Sequence, residues 1–361
     1  MVKWKQQVRR GVGLGLAGLT LWLLTATAGT DRLAAAALAV ELGEGAVTAL
    51  PFWDRVALGQ SALVLSNAQT PPELLPEPTL EPLPEAQPAP DQDELTEEPP
   101  EAAATPGNIV ERTLTPTGEG GYVTGGGLYL YNRTDLTVDL EALAGAASPI
   151  TLSPAAQGPQ ILIIHTHATE AYADEGLYQP SDNSRTLDPQ YNVIRVGEEM
   201  EKVFGEMGFS VLHDKETYVY PRYAGSYSRS GPSVADYLAQ YPTLRLVLDV
   251  HRDALVGSDG TVYKPVTSID GVKTAQVMLV VGGGHPNWGQ NLTLACKLQK
   301  ALDTLYPTLA RPMALRKSAY NQELTPGSLL VEVGSHGNTL DEALGAARCF
   351  ARAAGAVLGG L

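Results

Sequence analysis

Apolar and polar positions follow two periods along the second half of the chain. Short apolar, β-branched runs predict buried strands over 160–164, 209–212, 244–250, 276–281 and 328–333. Between them, apolar positions three and four apart predict helices near 196–207, 234–240, 290–306 and 340–356. The first helix should stop at Gly208, and Thr339-Leu-Asp-Glu342 makes a capping box for the last. Strands and helices in alternation predict an α/β fold with a largely parallel sheet and flanking helices. Upstream, Leu128-Tyr-Leu-Tyr131 and Leu136-Thr-Val-Asp-Leu140 predict a short ordered lead-in packed on this body.

The pattern breaks over residues 69–107, where Pro and Glu alternate with small residues. Ten prolines fall between Pro71 and Pro100, and residues 71–101 hold ten acidic side chains and no basic one. Such a segment buries too little apolar surface to offset chain entropy, so a disordered, extended linker is expected. It also explains the charge. The chain carries −15 overall, yet from Gly158 onward 21 acidic residues face 17 basic ones. The acidity belongs to the linker, and the basic footprint of a nucleic-acid binder is missing.

At the start, Lys3, Lys5, Arg9 and Arg10 precede an uncharged run from Gly11 to Thr30. At ~1.5 Å per residue a helix of that length spans roughly 30 Å, the thickness of the hydrocarbon layer. The basic cluster should stay cytoplasmic, which exports everything after it. Ala26-Thr-Ala28 resembles a signal-peptidase site, but the apolar run exceeds a usual signal core, and an uncleaved transmembrane anchor is the favoured reading. The expected organisation is a basic tail and anchor (1–30), an Ala/Leu-rich juxtamembrane segment (31–68), the linker (69–107) and a main domain (108–361). Cys296 and Cys349 lie in predicted helices without a C-x-x-C partner and read as small buried hydrophobes.

The candidate chemistry sits where strands end. Ile161-Leu-Ile-Ile164 runs into His165-Thr-His167-Ala-Thr-Glu170, Leu246-Val-Leu into Asp249-Val-His251-Arg-Asp253, and Leu329-Leu-Val into Glu332-Val-Gly334. Ligands of open α/β sheets bind beyond the carboxyl ends of strands, so these side chains should share a crevice. Neutral imidazole and carboxylate are good zinc ligands, and three of them leave a position for water. His167, Glu170 and His251 are the expected ligands. His165, two residues before His167 and on the same side of an extended backbone, is an alternative to it. Glu332 interrupts an apolar strand, where a buried carboxylate needs a reason; it is the candidate general base, passing a proton from water to a leaving nitrogen. Arg252 is expected to polarise a substrate carbonyl or hold a carboxylate, with Asp253 orienting it or His251, and Asp249 behind the ligands. Asn321, in Tyr320-Asn-Gln322, and Asn338 are candidate substrate contacts. The His-Arg-Asp string lacks the downstream Asn of a kinase loop, and Gly282-Gly-Gly284 lacks the spacing of a dinucleotide fingerprint.

Five ordered motifs resemble the stage II sporulation protein P family over roughly residues 108–361: His165-Thr-His-Ala-Thr-Glu-Ala-Tyr172, Asn192-Val-Ile-Arg-Val-Gly197, Asp249-Val-His-Arg-Asp253, Tyr320-Asn-Gln322 and Leu330-Val-Glu-Val-Gly-Ser-His-Gly-Asn-Thr-Leu-Asp-Glu342. The resemblance implies a cell-wall hydrolase of forespore engulfment, an N-acetylmuramoyl-L-alanine amidase that also cuts peptide cross-links. It implies one zinc ion in a fold related to zinc amidases and carboxypeptidases. The carboxypeptidase order, H-x-x-E, then His, then a late Glu, is matched by His167, Glu170, His251 and Glu332. Zinc amidases place the ligand Glu further downstream, which brings in Glu198 and Glu199 as alternatives to Glu170. Implied partners are peptidoglycan and the stage II sporulation proteins D and M, with the catalytic domain outside the cytoplasm in the sporangium's intermembrane space. A non-catalytic wall-binding scaffold is the other reading.

Overall fold

A computed structural model describes residues 109–116, 121–173, 184–220 and 222–360. The expected anchor, juxtamembrane segment and linker lie outside the described residues. Among the described residues no helix is long and apolar enough to cross a membrane.

The strands are β1 (Ile109–Arg112), β2 (Tyr122–Gly125), β3 (Leu128–Asn132), β4 (Ile161–Ile164), β5 (Val211–His213), β6 (Leu246–Asp253), β7 (Val262–Ile269), β8 (Val272–Ala275), β9 (Val277–Gly282), β10 (Met313–Arg316) and β11 (Ser328–Ser335). The helices are α1 (Leu140–Gly145), α2 (Val193–Glu206), α3 (Ser226–Gln240), α4 (Trp288–Leu305) and α5 (Leu340–Gly359). Eight strands form one sheet in the order β2-β3-β10-β9-β11-β6-β4-β5, and β1-β7-β8 form a smaller one.

The large sheet consists of two parallel blocks. In one, β5, β4, β6 and β11 run together; in the other, β9, β10 and β3 do. The blocks meet antiparallel at β11 and β9, and β2 closes the far edge as a hairpin with β3. The expected lead-in is thus built into the sheet, because β3 pairs with β10. Every residue of β4, β6, β9 and β11 is buried, which is why they read as continuous apolar runs rather than alternating ones.

Helix α2 packs against α5, α5 against α4, and these helices contact the sheet. Phe204 of α2 and Phe350 of α5 are completely buried. Helix α3 covers the sheet face that carries Leu162, Ile164 and Val247, through Val234, with Tyr237 and Leu238 packed beside it. Side chains alternate across a strand, so this face continues along β6 to Asp249 and His251. The layer architecture has therefore left one helix above the face on which the ionisable residues emerge.

Candidate metal centre

Strands β4, β6 and β11 are parallel neighbours, so their carboxyl ends lie on one edge. Beyond β4 the chain turns at once: the Glu170 amide donates to the His167 carbonyl at 3.0 Å, so the two side chains of the H-x-x-E face the same point. The Val193 amide then donates to the Glu170 carbonyl at 2.9 Å, tying the turn to the start of α2. In β6, Asp249 and His251 sit two residues apart on one face. Register pairs His251 directly with Glu332 of β11, bringing these side chains to one face on strands ~5 Å apart.

His167, Glu170 and His251 offer ligand atoms that lie within 4.8 Å of one another, all buried. Glu170 sits between the imidazoles: Oε1 is 3.4 Å from His167 Nδ1 and Oε2 is 3.4 Å from His251 Nδ1. The arrangement suits a divalent cation. Asp249 Oδ1 lies 2.9 Å from His251 Nε2, the carboxylate–imidazole support that turns the other nitrogen toward a metal. The Arg252 amide donates to Glu170 Oε2 at 3.0 Å, fixing that carboxylate in turn.

The electrostatics agree. Burial pushes the His167 imidazole down to about 4, which keeps it neutral and able to donate a lone pair. Burial also works against charge on His251, but Asp249 and Glu170 outweigh it and hold its pKa well above the ordinary value. For Glu170 burial is outweighed by His251, His167 and Arg252, so it stays ionised. The cluster favours a positive charge at its centre. Glu332 differs: burial and the Asp253 charge raise its pKa to about 7, against the pull of Arg316 and His251. Its Oε1 is 3.8 Å from Arg316, and Oε2 has no hydrogen-bond partner among the described residues. A half-neutralised, poorly partnered carboxyl beside a cluster that could hold a cation is suited to accept a proton.

Other expected residues lie elsewhere or face other partners. His165 is buried with Nδ1 3.0 Å from the Val250 carbonyl and Nε2 2.8 Å from His213 Nε2. Glu198 pairs with Lys215, and Glu199 with Arg195 and Arg348, so both serve the flank of α2. Arg252 lies on the opposite face of β6 from His251, because successive side chains alternate; its guanidinium donates to the carbonyls of Ala171 and Ser184, both at 3.1 Å. Asp253 binds Arg311 at 2.8 Å rather than orienting Arg252. Asn338 is wholly buried and spends its amide on the Pro265 carbonyl and Glu342. Asn321, at a left-handed φ of 56°, donates to the Tyr227 carbonyl and Ser230 Oγ. At the positions expected to contact substrate, Arg252, Asn321 and Asn338, the structure shows internal bonds at each side chain.

Tyr223, Tyr227 and Arg185 also lie against the cluster. Tyr223 stacks on His167 with centroids 4.3 Å apart, and Tyr227 meets the same ring edge-on at 5.5 Å. Nothing in their spacing marks them: Tyr227 arrives on α3, Tyr223 on the loop before it, and Arg185 on the segment that leads into α2.

Residues 85–355 match the family described as Stage II sporulation protein P (SpoIIP). Stage II sporulation protein P of Bacillus subtilis (strain 168) is 32% identical over 203 residues, which cover 53% of this chain and 49% of that protein. The chain therefore spans about half the length of this curated relative. Similar solved structures include the CwlD amidase from Clostridioides difficile in complex with the GerS lipoprotein, at 13% identity and a TM-score of 0.35, covering 55% of this chain and 95% of that one. The N-acetylmuramoyl-L-alanine amidase AmiC2 of Nostoc punctiforme is also 13% identical, with a TM-score of 0.29, covering 55% of this chain and 97% of that one. With the family matched across three quarters of its length, the chain belongs to the stage II sporulation protein P family.

Proposed function

We propose that the protein is a membrane-anchored, zinc-dependent peptidoglycan hydrolase of forespore engulfment, cleaving the amide between muramic acid and L-alanine. The observation that carries this reading is the meeting of two imidazoles and a carboxylate at one point, with the unpartnered oxygen of Glu332 on the neighbouring strand. Family membership supplies the cell-wall setting, and the stage II sporulation proteins D and M are the proposed partners. The anchor over 1–30 and the linker over 69–107 would let the main domain reach the wall from the membrane.

His167, Glu170 and His251 are the proposed ligands, with His165 set aside because both of its ring nitrogens already face other partners. A zinc ion held there supplies Lewis acidity and lowers the pKa of water to roughly 7. Glu332 takes the proton from the attacking water and hands it to the departing amide nitrogen. Asp249 orients His251, and the Arg252 amide orients Glu170. The Arg252 guanidinium is a positioning group that ties down the backbone at Ala171 and Ser184.

The test is release of soluble muropeptides from purified sacculi. Activity should vanish on chelation, return with zinc, and be absent in Glu332→Gln; activity that survives both changes ends the proposal. Mass spectrometry separates the bonds, since only an amidase leaves glycan free of stem peptide, whereas a cross-link endopeptidase leaves stems attached. One equivalent of bound zinc without turnover, even with the partner proteins added, would favour the wall-binding scaffold instead.

A further inference from the structure

Two segments meet at the rim of the cluster, and each carries an exposed hydrophobic side chain. The Arg185 guanidinium lies over the Tyr223 ring, 4.6 Å from its centroid, and that ring stacks on His167. Two residues beyond Arg185, Leu187 is 72% exposed; three residues before Tyr223, Tyr220 is 74% exposed. Among the described residues these are the two most exposed large hydrophobic side chains.

The loop that carries Tyr220 is pinned. Arg229 of α3 donates to the carbonyls of Tyr218 and Arg222, both at 2.5 Å, and of Ala224 at 3.2 Å. The Tyr218 hydroxyl donates to Asp214 Oδ2 at 2.5 Å, and Ser226 Oγ donates to the Tyr223 carbonyl at 2.7 Å. Tyr218 turns into the core beside α3 and Tyr223 turns onto His167, while Tyr220 between them stays in water. A ring presented on backbone that is already ordered loses little further freedom when a ligand settles on it.

We propose that the Tyr220 ring is the platform on which a sugar ring of the glycan strand stacks while the amide at the metal cluster is cut. This rests on the hydrolase reading above. In that reading the acyl half of the scissile amide hangs from muramic acid by one lactyl unit, so a sugar ring lies a few bonds from the reacting carbonyl. Three residues of extended chain reach at most about 10 Å, which keeps Tyr220 within one or two sugar rings of Tyr223 and the cluster it touches. One face of a pyranose ring presents C–H groups that pack on the flat of an aromatic ring, and its rim hydroxyls keep their water. A phenol offers such a face together with a polar edge. The branched aliphatic chain of Leu187 offers no flat face, which singles out the tyrosine for the sugar. Tyr220 takes no part in the proton transfers; it sets KM and the choice of substrate.

The experiment compares the zinc-loaded full chain with Tyr220→Ala and Tyr220→Phe on two substrates that share the scissile amide. One is a glycan tetrasaccharide carrying its stem peptides, and the other a lactoyl-peptide without sugar. In Tyr220→Ala the KM for the glycan substrate should rise about three- to tenfold with kcat nearly unchanged, the loss of one aromatic stacking contact. Kinetics on the lactoyl-peptide should not move, and Tyr220→Phe, which keeps the ring, should behave as wild type on both. Calorimetric binding of the peptide-free tetrasaccharide should weaken in Tyr220→Ala by the same factor. An unchanged KM on the glycan substrate overturns the platform, as does an equal rise on both substrates or a Phe variant as impaired as the Ala variant. Protein that binds the tetrasaccharide through Tyr220 and cuts neither substrate sinks the hydrolase reading and leaves the platform standing. Cleavage of the glycan substrate that is indifferent to Tyr220→Ala sinks the platform alone.

Discussion

Glu332 is where the chemistry and the stability of single residues pull in opposite directions. Its carboxyl, buried beside Asp253, is raised to about 7, so the base is lost as pH falls through that value. The kcat/KM profile should therefore carry an acidic limb, displaced downward once a cation sits nearby. A pKa raised on folding means that the native state holds the proton more tightly, so stability contributed by this group falls as pH rises from about 4.3 toward 7. Glu332→Gln removes that penalty. It should make the metal-free protein more stable at pH 8, by up to a few kcal/mol in denaturant titration, while kcat drops about 10²- to 10⁴-fold. A variant that is less stable at pH 8 contradicts the burial argument. Asp249→Asn tests the support behind His251: zinc affinity should weaken about 10- to 100-fold in chelator competition. At this scale the meeting of His167, Glu170 and His251, with Glu332 opposite His251, was legible because each of these residues ends or interrupts an apolar run. Arg252, next to a proposed ligand on the same strand, points to the other face and bonds to the carbonyls of Ala171 and Ser184. Tyr223 left no trace in the pattern, since its position depends on a loop rather than a period.

Elements were readable wherever one local signal dominated. The capping box of α5 forms as expected: Thr339 accepts from the Glu342 amide, and Glu342 reaches back to the Thr339 amide. Thr339→Ala should cost about 1 kcal/mol, read as a lower denaturant midpoint with an unchanged slope. The hairpin of β7 and β8 turns on Asp270-Gly271, both at positive φ (52° and 79°), the type I′ geometry that an Asp-Gly pair favours. Helix α3 begins eight residues before the predicted start, behind Gly225 with no side-chain cap, and carries Pro232 inside it. Its early turns lack helix signals because tertiary contacts hold them, including the bond from Asn321 to the Tyr227 carbonyl. On α2, Gly197 lets the helix pass close to the buried imidazole pair. An added Cβ would sit 2.6 Å from His165 Nε2 and 2.7 Å from His213 Nε2. Gly197→Ala should therefore destabilise the fold by about 1–3 kcal/mol, measured by thermal unfolding, with zinc stoichiometry retained if the protein folds.

For the whole molecule, the α/β class followed from alternating periods, whereas the reversal between β11 and β9 did not. Both β9 and β11 are buried throughout, so nothing in either strand records the direction of its neighbour. That reversal matters to function only indirectly, since β4, β6 and β11 all belong to one block and present their ends together. The proposed linker makes a simple prediction: limited proteolysis should cut first within residues 69–107 and leave a resistant fragment that retains zinc binding. The central claim is that distant strand ends converge on one ion, and anomalous diffraction at the zinc edge from zinc-loaded crystals tests it most directly. The account predicts a single strong peak about 2.0–2.2 Å from His167 Nδ1, His251 Nδ1 and a Glu170 oxygen. A peak lying instead between His165 and His213, or none at the cluster in zinc-saturated protein, would contradict it.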